Sequence, residues 1–177
     1  MKNFSLKFVD IMIAVVLGLG FQWWTSLKEP WQYIAFIFVY LDIVDYWIDY
    51  SPSLKKFPPK KEIDVMLDVF IMFSLFLYIY SAQLTIMYFL GAFILFKILD
   101  YFWLLSSKLE YKPIGLDGLF IETWLKLNLI EVIATGLLIG FCLLTNLPSI
   151  IILISYITIR IIIRVIASLK YKKIHFS

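Results

Sequence analysis

Long apolar runs separated by short polar connections dominate the sequence. Six runs each approach the roughly 20 residues that a helix needs to cross about 30 Å of hydrocarbon. They cover residues 8–24, 31–50, 64–82, 84–106, 119–144 and 148–169. We therefore predict an all-α fold, a polytopic transmembrane bundle of six helices that forms a single domain over residues 1–177.

The composition supports a membrane protein. Hydrophobic residues make up 62% of the chain and aromatic residues 19%, which leaves too few polar residues to coat a soluble globule. A single cysteine, Cys142, and a single histidine, His175, exclude an internal disulfide, a cysteine metal cage and a two-histidine haem or metal site. The basic start resembles a signal peptide, but the first run lacks a small-residue cleavage site, so we expect it to be the first span.

The lysines predict the orientation. They cluster before the first run, between the second and third, between the fourth and fifth, and after the sixth. These are Lys2, Lys7, Lys55, Lys56, Lys60, Lys61, Lys108, Lys112, Lys170, Lys172 and Lys173. By the positive-inside rule both termini are cytoplasmic. The net charge of +3 then reflects topology and contact with anionic headgroups, not nucleic-acid binding. We expect the plasma membrane of a prokaryote.

Three aspartates share one face of the second helix. Asp42, Asp45 and Asp49 are spaced i, i+3 and i+7, which places them within roughly 60° of one another. Carboxylates this close to hydrocarbon are costly unless a partner compensates them. The spacing therefore predicts a functional site.

The charged residues within the spans fall mostly in the cytoplasmic half. They are Asp10, Asp42, Asp45, Asp49, Asp64, Asp68, Asp100, Glu122, Glu131, Lys97, Lys126, Arg160 and Arg164. The outer half is almost purely apolar. This asymmetry favours a lipid substrate with a charged head and a long tail over a pore that is polar throughout.

A hard divalent cation would reconcile so many carboxylates. Mg²⁺ prefers oxygen ligands and typically bridges one or two carboxylates to substrate phosphates. It would also stabilise a leaving diphosphate. Arg160 and Arg164, one turn apart on the last helix, would contact phosphate oxygens. In the alternative interpretation, the same arginines neutralise the acids in a structural ion network with no ligand.

A family resemblance accompanies this chemistry. Asp42-x-x-Asp45-x-x-x-Asp49 resembles the first Asp-rich motif of the UbiA-type intramembrane prenyltransferases, and Lys56-Phe57-Pro58-Pro59 stands where that family often has Arg-Pro-x-Pro. The resemblance implies that the three aspartates bind Mg²⁺ and a prenyl diphosphate and that Lys56 contacts phosphate. Asp64 and Asp68 would complete the metal site or supply a catalytic base.

The chain departs from this family in three respects. Leu41 stands in place of an Asn, the fold normally has nine helices, and Arg160 and Arg164 lie where a second Asp-rich motif is expected. A degenerate member that binds lipid without reacting is therefore an open alternative.

A second resemblance is to the CDP-alcohol phosphotransferases, which are six-helix Mg²⁺ enzymes. Asp42-x-x-Asp45 followed by Asp64-x-x-x-Asp68 is similar to their four-aspartate signature, although Tyr46 replaces a signature glycine. Phe8-x-Asp10 is similar to the start of the first helix in a family of six-helix potassium channels.

Two classes of function thus remain open. The first is a Mg²⁺-dependent transferase that acts on a lipid or prenyl diphosphate, or a degenerate relative of one. The second is a non-enzymatic membrane protein, either an accessory subunit of a larger complex or a cation channel. A homo-oligomer fits either class.

Overall fold

The computed structural model describes residues 2–145 and 147–171. That part of the chain contains six α-helices: α1 (Lys2–Gly20), α2 (Pro30–Lys56), α3 (Glu62–Ser81), α4 (Ile86–Tyr111), α5 (Gly115–Leu144) and α6 (Ser149–Tyr171). A 3₁₀ helix, Phe21–Ser26, follows α1. The predicted all-α class with six helices is confirmed. His175, Lys172 and Lys173 lie outside the described residues.

Five helices among the described residues are long and apolar enough to cross a membrane, namely α1 with its 3₁₀ extension, α3, α4, α5 and α6. The chain is therefore a multi-pass membrane protein. The remaining helix, α2, has 27 residues, which is long enough to span, but three aspartates interrupt its apolar run.

Local signals explain where two helices begin. Pro30 occupies the first turn of α2, where its missing N–H costs nothing. Gln32 Oε1 accepts hydrogen bonds from the backbone N–H groups of Lys28 (2.7 Å) and Glu29 (3.0 Å), and so satisfies donors at the helix start. Helix α5 begins at Gly115, whose φ of 63° is a left-handed conformation that favours glycine.

Internal packing divides the chain into two compact units, Met1–Phe96 and Lys97–Ser177, with the division inside α4. In the first unit α1 packs against α2 and α3. Among the described side chains of α1, the buried apolar ones are Val9, Ile13 and Val16, which recur at i, i+4 and i+7 and so form one stripe.

In the second unit α5 packs along α6. The buried face of α5 is partly polar and includes Trp124, Asn128, Glu131 and Thr135. Arg160 belongs to the buried face of α6. Because buried polar groups need partners, this side of the helix pair is where ionic contacts are expected.

Candidate functional site

The structure places the aspartate face of α2 largely inward. Asp42 and Asp49 are buried, and Asp45 is half-buried. Tyr46 and Tyr50 stack on the same helix with ring centroids 4.9 Å apart. Two of the three predicted metal ligands therefore lie away from solvent.

Asp10 connects α1 to α2. Its Oδ1 accepts a hydrogen bond from Trp47 Nε1 at 2.9 Å and one from Ser51 Oγ at 3.4 Å. Both donors belong to α2 and lie four residues apart, so they face the same side. Asp10 thus has a role in helix packing.

Asp64 and Asp68, predicted as catalytic, make structural contacts at the start of α3. Asp64 Oδ2 accepts hydrogen bonds from the backbone N–H groups of Lys61 (3.0 Å) and Lys60 (3.3 Å), so it caps the helix. Asp68, which is 1% exposed, accepts a 2.5 Å hydrogen bond from the Tyr50 hydroxyl. These contacts explain both residues without a metal, and their catalytic role stays a prediction.

The predicted magnesium site gains no further support from geometry. Within residues 2–145 and 147–171 no group of three or more His, Cys, Asp or Glu side chains is arranged to hold a metal ion. The assignment of Mg²⁺ to Asp42, Asp45 and Asp49 stays a prediction.

The second unit contains a buried ion triad that joins three helices. Glu131 of α5 is 1% exposed, and its Oε2 lies 3.0 Å from the Lys97 ammonium of α4, which is also 1% exposed. Its Oε1 accepts a 2.5 Å hydrogen bond from Arg160 Nη1 of α6. One carboxylate thus compensates two buried cations, and each contact gains strength from the low local dielectric.

Three cationic side chains lie near the indole ring of Trp124. The Lys97 Nζ is 5.5 Å from the indole ring centroid, and the guanidinium carbons of Arg160 and Arg164 are 6.0 and 5.6 Å from it. Cations within about 6 Å of an aromatic face are attracted by its negative quadrupole. Arg160 and Arg164, the two arginines predicted to bind phosphate, therefore lie near the same ring. Arg160 is buried, whereas Arg164 is half-buried.

A second polar pair lies on the same helices. Asn128 Nδ2 of α5 donates a 2.6 Å hydrogen bond to Asp100 Oδ2 of α4. Asn128 is fully buried and Asp100 is 6% exposed. Lys56, the other predicted phosphate contact, is exposed at the last position of α2 in the first unit.

An apolar groove of about 640 Å³ lies between α5 and α6. Its lining includes Gly136, Gly140 and Phe141 of α5 and Ile159 of α6. A methyl group added to either glycine would meet no other atom within 4 Å. The groove is therefore open space and not a packed helix contact.

Sequence patterns missed the residues at the centre of this cluster. Glu131 was one acid among many, and neither Trp124 nor Asn128 was singled out. Asn128 carried a local signal, because it is the one amide side chain in the apolar run of α5. Glu131 carried none, since its partners are 34 residues before it and 29 residues after it.

The comparisons with known proteins return nothing that names a family. No family model, no curated protein and no solved structure matches the chain. The resemblances described from the sequence therefore stay predictions.

Proposed function

We propose that this protein binds a membrane lipid with a phosphate headgroup, using the second unit. The observation that carries the proposal is the convergence of Lys97, Arg160 and Arg164 on Trp124. Arginine is well suited to phosphate because its planar fork can donate two parallel hydrogen bonds. Arg164 is the contact residue, because it is less buried than Arg160.

Glu131 is a positioning residue in this proposal. It holds Lys97 and Arg160 on either side of its carboxylate and so fixes two cations at the base of the cluster. Arg164 lies one turn from Arg160 on α6, on the same helix face. An anionic headgroup that reaches Arg164 then meets a preorganised positive field.

The apolar groove suits the tail of the same lipid. Gly140 follows Trp124 by 16 residues on α5, or about 24 Å along the helix axis. The basic cluster and the groove thus lie at different heights of one helix pair and on different sides of α5, because 16 residues rotate a helix by about 160° beyond four full turns, so the tail of a lipid held at Trp124 has to pass around α5 to reach the groove. The sequence predicts a ligand of the same kind, with a charged head and a long tail.

Lipid binding can be measured on purified protein by native mass spectrometry. Phosphatidic acid and diacylglycerol with the same acyl chains differ only in the phosphate. We expect preferential retention of phosphatidic acid, reduced about tenfold in Arg164→Gln, because a hydrogen bond to a charged group contributes about 1.5 kcal/mol or more. Lys126→Gln, which removes an exposed cation from α5, is the matched control. If Arg164→Gln and Lys126→Gln bind phosphatidic acid equally well, the headgroup assignment is wrong.

The tail assignment has its own pair of variants. Gly140→Leu fills the groove, whereas Gly91→Leu adds the same side chain at a glycine with open space in α4 of the first unit. We expect only Gly140→Leu to weaken binding of both lipids. Unchanged binding would show that the tail lies elsewhere.

The family resemblance adds a reaction to this proposal. In it, Asp42, Asp45 and Asp49 hold Mg²⁺ with a lipid diphosphate, and the protein is a transferase in a prokaryotic plasma membrane. The test is product formation from a prenyl diphosphate with Mg²⁺ or with EDTA. Activity that needs Mg²⁺ and is lost in Asp45→Asn supports the transferase, and lipid binding without turnover supports a degenerate relative.

The alternative is a non-enzymatic membrane protein, such as an accessory subunit or a cation channel. The Lys97–Glu131–Arg160 triad favours it, because these three groups compensate one another in a purely structural network. In that case Arg164→Gln leaves phosphatidic acid binding unchanged. Flux of monovalent cations into protein-containing liposomes would then select the channel.

A further inference from the structure

A second apolar space lies in the second unit, between α4 and α5. This space, the α4–α5 crevice, has a volume of about 200 Å³ and an apolar wall. It is lined by Ile98, Tyr101, Phe102, Asn128, Leu129 and Val132. Phe102 is 51% exposed and Leu129 is 52% exposed, so the crevice borders the outer surface of the two helices. A hydrocarbon chain in the bilayer can therefore enter it from the side.

The crevice lies close to the basic cluster. Trp124, Asn128 and Val132 are spaced i, i+4 and i+8, so the wall of the crevice continues the face of α5 that carries Trp124. On α4, Tyr101 lies one turn after Lys97 on the same face. Val132 is eight residues from Trp124, or about 12 Å along the helix axis. A chain attached to a headgroup at Trp124 can thus enter the crevice without passing around α5.

The crevice and the apolar groove together flank α5. The crevice is bounded by α4 and the groove by α6, so the two spaces are on different sides of α5. Both lie in the same direction from Trp124, the crevice at residues 128–132 of α5 and the groove at residues 134–144. The crevice is smaller than the about 300–1,000 Å³ of a typical ligand pocket, so it fits a segment of one chain and no headgroup.

We propose that the lipid bound at the basic cluster has two hydrocarbon chains, one in the α4–α5 crevice and one that reaches the groove. The two chains of a phospholipid leave one headgroup in the same direction, as the positions of the two spaces require. The inference rests on the proposed function and narrows the ligand to a two-chain phospholipid. An empty space leaves its wall without van der Waals partners, and a chain restores these contacts.

Native mass spectrometry of the full chain with phosphatidic acid and lysophosphatidic acid tests the proposal, because the two probes share a headgroup and differ by one chain. At equal mole fractions in the same micelles, we expect the wild type to retain about fivefold more phosphatidic acid, the gain expected from several new van der Waals contacts. Val132→Trp fills the crevice and should bring the two probes to equal retention. Val69→Trp, the same substitution at a 41% exposed valine of α3, should keep the wild-type preference.

Equal retention of the two probes by the wild type, or an unchanged preference in Val132→Trp, would overturn the two-chain inference. The proposed function itself fails only if phosphatidic acid is retained no better than diacylglycerol. A second measurement does not depend on the folding of a variant. Phosphatidic acid with a photoactivatable diazirine in one chain should label wild-type peptides of α4 that contain Phe102. Labelling confined to the residues of the groove would also overturn the inference.

Discussion

Removal of the Glu131 carboxylate is the most informative perturbation of the second unit. Glu131→Gln keeps the shape of the side chain but leaves the buried cations Lys97 and Arg160 without the acid they share. Removal of one partner from a buried ion pair typically costs about 3–5 kcal/mol. We expect a loss of folding free energy of about that size, because both Glu131 and Lys97 are 1% exposed.

The chain supplies a matched control at the same distance. Lys108 and Glu122 also approach to 3.0 Å, but their side chains are 43% and 53% exposed. Water and salt screen such a pair, so Glu122→Gln should leave stability close to that of the wild type. Both variants remove a lysine–glutamate contact of 3.0 Å, and they differ in burial and in the second cation, Arg160, that Glu131 also holds.

Unfolding by SDS in mixed micelles, followed by circular dichroism, measures both variants. Lys97→Met should cost less than Glu131→Gln, because Glu131 keeps Arg160. The double variant should be more stable than the sum of the two losses predicts, as expected for groups in one network. If Glu131→Gln and Glu122→Gln destabilise the protein equally, the reasoning from burial is wrong.

Two further predictions concern local geometry. Gly118→Ala places a Cβ 2.6 Å from the Pro113 carbonyl oxygen, so the turn into α5 must shift, and we expect a clearly lower midpoint of thermal unfolding. Tyr50→Phe removes the hydrogen bond to the buried Asp68, and we expect a loss of about 1–3 kcal/mol in SDS unfolding, because the carboxylate stays buried with one donor fewer.

Controls for these two variants come from sites without such contacts. Gly136→Ala adds its methyl group to open space inside α5 and should keep or slightly raise the unfolding midpoint, because alanine favours a helix interior more than glycine does. Tyr88→Phe removes a hydroxyl from an exposed tyrosine and should have no measurable effect. A Gly118→Ala protein as stable as Gly136→Ala would contradict the steric argument, and equal stability of the two Phe variants would contradict the role of Tyr50.

The pattern of hydropathy predicted the helices well because each apolar run is a local property. The predicted helices end too early where the observed helices continue into polar residues. The second run was expected to stop at residue 50, whereas α2 continues through Pro52 to Lys56. Basic residues in the last turn suit the helix dipole, so charge at that point does not end a helix.

The candidate site was less predictable than the fold. The placement of Asp42 and Asp49 on one face follows from helical spacing alone, and the structure buries both. The partners of Glu131 do not follow from spacing, because they depend on how α4 and α6 pack on α5. The aspartates attracted attention as a motif, whereas the best-connected acid lies in an unremarkable stretch of sequence.

The acidic content of α2 has a consequence for membrane insertion. An aspartate at the centre of a membrane helix costs about 2.5–3.5 kcal/mol during insertion through the translocon. Two of these carboxylates, Asp42 and Asp49, are buried in the folded protein, and α1 and α3 both pack on α2. Lys7 lies at the start of the span that α1 forms. The lysines that follow α2 lie on the same side of the membrane as Lys7 only if α2 crosses it too. The insertion of α2 therefore depends on its contacts with α1 and α3. Because α3 is synthesised after α2, stable insertion of α2 has to await α3.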